Sequence, residues 1–456
     1  MGAPAPAAAT EVRGLTGAMR VAARPLLAAL LLLVASCTSS PVEPTPSPSA
    51  EPPGATTGPT GSTTGPTSPE PSPTPSEPLP AAELRAPAGG SVLVRGRYPR
   101  VESSCVRPVR PRLDARYPGT LLVERSDDGT LALMVALSFR EYLEGIAEVP
   151  ASWPTAALEA QAIAARTYAL ATTGWDGEEG ETLREPICST SACQVYGGLP
   201  LSPSPLDRRW DRAVRRTSGR VLLFEGRPAE TLYFSTSNGQ TYGNDEVFGS
   251  APLPYLRPVV ERDDGASSVS RWRVRIPYQD LSAFLTAAGE WDGEPIAAVF
   301  LDGGEVAIRG IDGSATMALS TFRDSVNAWA PCLQPGRYPT GALPTTIPSR
   351  WLSLSSREDA VVVTGRGWGH GVGMVQWGAY GKARRGLSAE EILAFYYGGL
   401  RPQPYPEPGL IHVQIAEGLT SLRLEPSRAG ARLNGERLEP GPVLVVGGEE
   451  LFVRTP

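Results

Sequence analysis

The side chains able to do chemistry are few, and their scarcity narrows what the chain can be. Two histidines, His370 and His412, serve 456 residues, so reactions needing several imidazoles are nearly excluded. Cys188 and Cys193 form a Cys-x4-Cys pair with no matching His pair to complete a tetrahedral zinc site, and no metal is expected. Ser235, Ser237 and Asn238 sit in a small polar loop that lacks the Gly-x-Ser-x-Gly context of a serine nucleophile, so binding or backbone support suits them better. Arg166 lies near the apolar line of Leu158, Ala162, Ala165 and Ala169, where a guanidinium needs a carboxylate. Glu159 and Glu148 are the two candidates. Spacing leaves open a structural Arg166–Glu159 pair with Glu148 a solvated helix-end acid. Glycines at 365, 367, 369, 371, 373, 378 and 381 permit close approach, while Trp368, Trp377 and Tyr380 offer flat faces to sugar rings.

The elements that must position these residues are legible in part. Residues 90–137 alternate short apolar runs with turn signals such as Asp127-Asp128-Gly129, which predicts antiparallel strands. Phe139 to Ala147 has helical spacing, with Val149-Pro150 as its stop. Ser152 is the predicted N-cap of an Ala-rich helix from about Pro154 to Ala171, small on nearly every side and so suited to close packing. Strands are expected over Trp272 to Ile276 and Ala297 to Leu301, and a long loop over Pro331 to Ser349. The runs Ile411 to Ile415, Leu422 to Leu424, Val443 to Val446 and Leu451 to Arg454 predict a small β appendage. The fold class is therefore α+β: mixed antiparallel sheets, an Ala-rich helix and the small C-terminal β appendage.

Composition sets the compartment. The balance of 42 basic against 48 acidic residues, net −6, argues against a nucleic-acid partner. Arg20 and Arg24 precede an apolar run from Leu26 to Ala35, the length of an export signal's core and too short for a comfortable membrane span. Either Met1 or Met19 serves as initiator. Val34-Ala35-Ser36-Cys37 looks like the lipobox of bacterial lipoproteins, which makes Cys37 the expected lipidation site. Residues 41–80 hold 14 Pro, 14 Ser or Thr and four Gly. Such a stretch cannot bury enough apolar surface to order itself, and at ~3.1 Å per residue it reaches up to roughly 120 Å. Cys105, Cys188, Cys193 and Cys332 remain for disulfides, with Cys188–Cys193 and Cys105–Cys332 the preferred pairing. The predicted layout is a signal peptide over 1–36, an acylated Cys and Pro/Ser/Thr-rich linker over 37–85, the main folded domain over 86–402 and the appendage over 403–456. The protein is expected on the outer face of the cell membrane, reaching into the wall.

Four blocks then carry a resemblance. Glu141 to Pro154 (EYLEGIAEVPASWP), continuing through Glu159 to Ala169 (EAQAIAARTYA), resembles the core motif of the stage II sporulation protein D and amidase enhancer family. Cys188 to Gly198 (CSTSACQVYGG), Tyr233 to Gly249 with Leu253-Pro254-Tyr255-Leu256, and Gly365 to Gly399 follow in the family's order. The resemblance covers most of residues 90–400.

It implies a peptidoglycan lytic transglycosylase that needs no cofactor, cleaves the β-1,4 bond between MurNAc and GlcNAc to 1,6-anhydro products, and uses Glu148 as general acid and base. Most glycosidases use two carboxylates. A nucleophile within the sugar makes one sufficient. Arg166 is expected to orient Glu148 or contact sugar without tight bidentate contact to it. Ser237, Asn238, Trp368, His370, Gln376 and Tyr380 are the expected substrate contacts, with His370 and Gln376 aimed at acetamido groups. Ala192 stands where many relatives carry a His, so the zinc role described for some members does not carry over. The alternative is a non-catalytic glycan binder that recruits or enhances a cell-wall amidase.

Overall fold

The computed structural model describes residues 81–98, 113–177, 185–201, 204–341 and 343–455. The segment expected as an export signal, Cys37, the Pro-rich stretch expected as a tether, and Cys105 lie outside them. The helices are α1 (Phe139–Glu144), α2 (Thr155–Thr172), α3 (Asp207–Arg216), α4 (Asn244–Phe248), α5 (Tyr278–Ala287), α6 (Leu319–Leu333), α7 (Gln376–Arg384) and α8 (Ala389–Tyr396). With several mostly antiparallel sheets, they make the α+β fold expected.

The largest sheet is built on the hairpin of Thr120–Arg125 and Leu131–Ser138, whose strands alternate buried and part-exposed residues as period-2 patterning requires. Its turn is closed by Asp128, which accepts from the Thr130 N–H and hydroxyl, and by Gly129 at φ +80°. Ser138 ends the second strand and opens α1 at once: its hydroxyl caps the Glu141 N–H while the Glu141 carboxylate takes the Ser138 N–H.

Helix α1 stops at Gly145, short of the predicted Ala147. A side chain on Gly145 would collide with the Tyr196 ring, and residues 145–147 leave the helix to pair with 195–197. Helix α2 starts one residue later than predicted, with Pro154 rather than Ser152 at its N-cap and no side-chain cap. Its all-round alanine surface has a plain cause. Leu158, Ala162, Ala165 and Ala169 face the core of the large sheets, while Ala160, Ile163 and Ala164 face a second core with Phe234, Ile392 and Tyr396.

The strands after Pro406 form no appendage. Leu410–Leu419 lies within the seven-stranded sheet between Leu131–Ser138 and Ile187–Cys188, and Ser421–Pro426 lies beside Val92–Arg97 in a five-stranded sheet. Their apolar runs read as a separate unit because these partners are about 225 to 335 positions earlier in the chain, a pairing that local periodicity does not encode. Ala81–Arg85, inside the stretch assigned to the linker, also pairs with Thr120–Arg125. A further layer spans residues 269–363, where two three-stranded sheets and helices α5 and α6 enclose their own core. There the predicted strands appear as Trp272–Pro277 and Ile296–Asp302, and α6 runs through Pro331 into the stretch expected as loop.

Candidate active site

Glu148 sits where three segments converge. Directly after α1, the 145–148 stretch lies against residues 195–197, and the Val195 N–H donates to Glu148 Oε1 at 2.7 Å. The Cys188–Cys193 disulfide closes the loop that presents Val195, and Ile187–Cys188 is fixed to the large sheet by parallel pairing with Val413–Gln414. The third segment is the start of α7, set beside Tyr233–Phe234 by the short parallel pairing of Met374–Val375. It brings Gln376 Nε2 to 3.5 Å from Glu148 Oε2 and 3.4 Å from Gln161 Oε1.

The carboxyl of Glu148 is half-buried among neutral groups. Burial raises its pKa above the ordinary glutamate range, opposed by the Val195 N–H, Gln376 and the Tyr233 hydroxyl. No cation and no second carboxylate is among these groups. The Tyr233 hydroxyl donates its one proton to Gln194 Oε1 at 2.8 Å, and Gln194 Nε2 is tied to the Ala165 carbonyl of α2 at 3.1 Å. A half-buried acid whose pKa burial raises, and whose neighbours are neutral, is equipped to protonate a leaving group.

Beside Gln376, the half-buried rings of Trp377 and Tyr380 meet the buried ring of Trp153 at centroid distances of 5.0 and 5.2 Å. Of the expected contacts, Gln376 and Tyr380 therefore stand in this neighbourhood. His370 is placed differently: Nδ1 accepts from the Val372 N–H at 3.2 Å, leaving Nε2 to donate to the Tyr233 carbonyl at 2.9 Å. Burial lowers its pKa to about 4, so at neutral pH it is an uncharged brace for the Tyr233 backbone rather than a free donor. Ser237 is buried and bonded through its N–H and hydroxyl to Asp264, both at 2.8 Å. Asn238 donates to the Tyr242 hydroxyl at 2.7 Å, and Trp368 packs against the core of residues 269–363. The contacts of these three are with other residues of the fold.

Arg166 departs most from expectation. It is 1% exposed, and its Nε pairs with Glu407 at 2.5 Å, while its other nitrogens donate to the Thr217 hydroxyl and the Val214 carbonyl. Glu159 pairs instead with Arg216 at 3.7 Å. The guanidinium joins α2 and the end of α3 to the segment entering Leu410–Leu419, and these bonds go to Glu407, Thr217 and Val214 rather than to Glu148.

Residues 127–224 match the family model described as Stage II sporulation protein. An uncharacterized protein of Brachyspira hyodysenteriae is 30% identical over 290 residues, covering 62% of this chain and 71% of the relative. The chain belongs to the stage II sporulation protein D family. The family's stage II sporulation protein D of Bacillus subtilis is 26% identical, over 58% of this chain and 74% of that one. The amidase enhancer of Bacillus subtilis is 29% identical over 55% of this chain, but only 38% of its own length is matched.

Within this family framework, sequence reasoning singled out Glu148, Gln376 and Tyr380 but passed over Tyr233, Gln194 and Val195. All three lie in the quoted blocks, so the blocks were the available signal. Their roles depend on side chains and amides meeting across segments. Glu407 carried no signal, being 241 positions from Arg166.

Proposed function

We propose that this protein is a lytic transglycosylase of peptidoglycan glycan strands, with Glu148 as its acid and base. The observation that carries the reading is the isolation of Glu148 among neutral donors. In its protonated form it gives its proton to the oxygen leaving at the β-1,4 bond. It then takes the proton of the sugar's 6-hydroxyl as that oxygen closes the 1,6-anhydro ring. No second carboxylate is required, in contrast with hydrolases that must activate water. Trp377 and Tyr380 supply faces for sugar rings beside the acid. In this reading Cys37 carries the lipid anchor and residues 41–80 carry the folded part into the wall.

The name of the amidase enhancer relative supports a second reading, a glycan binder that assists an amidase. Incubation with purified glycan strands, with and without stem peptides, followed by mass spectrometry beside Glu148→Gln, separates the two. Products ending in 1,6-anhydro-muramic acid from the wild type alone support the transglycosylase. Reducing ends would indicate a hydrolase, and strands bound but uncut would favour the enhancer.

A further inference from the structure

Lys382, the only lysine of the chain, is buried near the end of α7. Its Nζ is 3.0 Å from Asp263 Oδ2 and 3.0 and 2.9 Å from the two oxygens of Glu261. Glu261 is fully buried and also accepts from the Tyr396 hydroxyl. The rings of Phe395 and Tyr396 wall the amine, with centroids 4.1 and 4.9 Å from Nζ. The other oxygen of Asp263 is held by Arg385 at 3.2 Å. Close approach is built into the backbone: a Cβ at Gly381 would overlap the Asp263 carbonyl, and one at Gly378 would overlap Glu261 and Tyr396. These two glycines, counted in the sequence as part of a saccharide groove, make room for this cluster.

Buried opposite charges in an apolar, aromatic surrounding are costly to keep as ions. An amine held against a carboxyl, with a second carboxylate on the same nitrogen and a cation on the far oxygen, has the parts of an amide-forming site. We propose that Lys382 and Asp263 condense into an intramolecular isopeptide bond, with Glu261 as proton carrier. The ammonium passes one proton to Asp263 Oδ2, and the amine attacks Cγ. Glu261 takes a second proton from Nζ and returns it to the departing Oδ2 hydroxyl, which leaves as water. Oδ1 becomes the amide oxygen, stabilised through the tetrahedral stage by Arg385. One ammonium and one carboxylate become one amide and one water, with Glu261 ending as it began and no co-reactant consumed. The bond staples residues 261–263 to α7, the helix that carries Gln376.

Peptide mapping of the full-length chain tests this. After reduction and alkylation, trypsin digestion of a linked chain yields Asp263–Arg271 joined to Gly367–Arg384, uncut at Lys382 and lighter than the two peptides by one water. Glu261→Gln and Asp263→Ala should each abolish that species and restore cleavage after Lys382. As a second readout, unfolded wild type should offer no lysine amine to an amine-reactive dye. The wild-type digest decides even where a variant fails to fold: recovery of linear Gly367–Lys382 and Asp263–Arg271 in full amount overturns the proposal.

Discussion

The N–H of Val195 donates to Oε1 of Glu148 at 2.7 Å, and this bond ties the acid to a loop that a disulfide closes two residues earlier. Glu148 follows a helix broken at Gly145, while Val195 is anchored through Cys193 and Cys188 to the large sheet. The acid's position thus depends on two segments that meet only in the folded protein, and its ionisation depends on what else meets there.

Substitution Glu148→Gln should lower strand cleavage by roughly 10²- to 10⁴-fold, the range of a lost general acid. The same change should leave the protein as stable or more stable at neutral pH. A carboxyl whose folded pKa is raised opposes folding once pH exceeds its unfolded pKa, so the wild type loses stability as pH rises from there through the folded value. Melting curves of both forms should converge below pH ~4, where the acid is protonated in both states. A wild type that melts above the variant at neutral pH contradicts this.

Gln376 and the Tyr233 hydroxyl both oppose the rise in the Glu148 pKa. Replacing Gln376 with Leu, or Tyr233 with Phe, should raise that pKa further, so the alkaline limb of the rate profile should move to higher pH. An unmoved limb with a lowered plateau would assign these residues to sugar binding instead.

Changing Cys188 and Cys193 together to Ser should cost about 2 kcal/mol of stability, the scale for a loop this short. The activity loss should exceed what unfolding explains, because Val195 and Gln194 are held by the same loop. Cleavage assays well below the variant's melting temperature, with circular dichroism as the control, measure the difference. Full activity in a folded variant would show that the loop holds its shape without the bond.

Arg166→Ala should be strongly destabilising, by about 3–5 kcal/mol, since it leaves Glu407 facing a site built for a cation. The paired variant Arg166→Met with Glu407→Leu should recover part of that stability in urea unfolding. If Arg166→Ala instead keeps its stability and raises KM, the guanidinium meets substrate after all.

The amino-acid sequence by itself determined what depends on near neighbours and on residue type. Alternation set the hairpin over Thr120–Arg125 and Leu131–Ser138, the alanine run set α2, and Cys188 and Cys193 were close enough in the chain to pair. Glu148 was reached through a motif, and its neighbour Gln376 through another. Tertiary structure alone decided the rest. The stop at Gly145 goes with the pairing of residues 145–147 to 195–197, the partner of Arg166 is a glutamate far along the chain, and His370 is held by backbone groups of two segments. The strands after Pro406 join sheets begun near residue 81. In each case the energy comes from burial against, or hydrogen bonding to, a residue whose distance in space is unrelated to its distance in the chain, and local pattern carries no record of it.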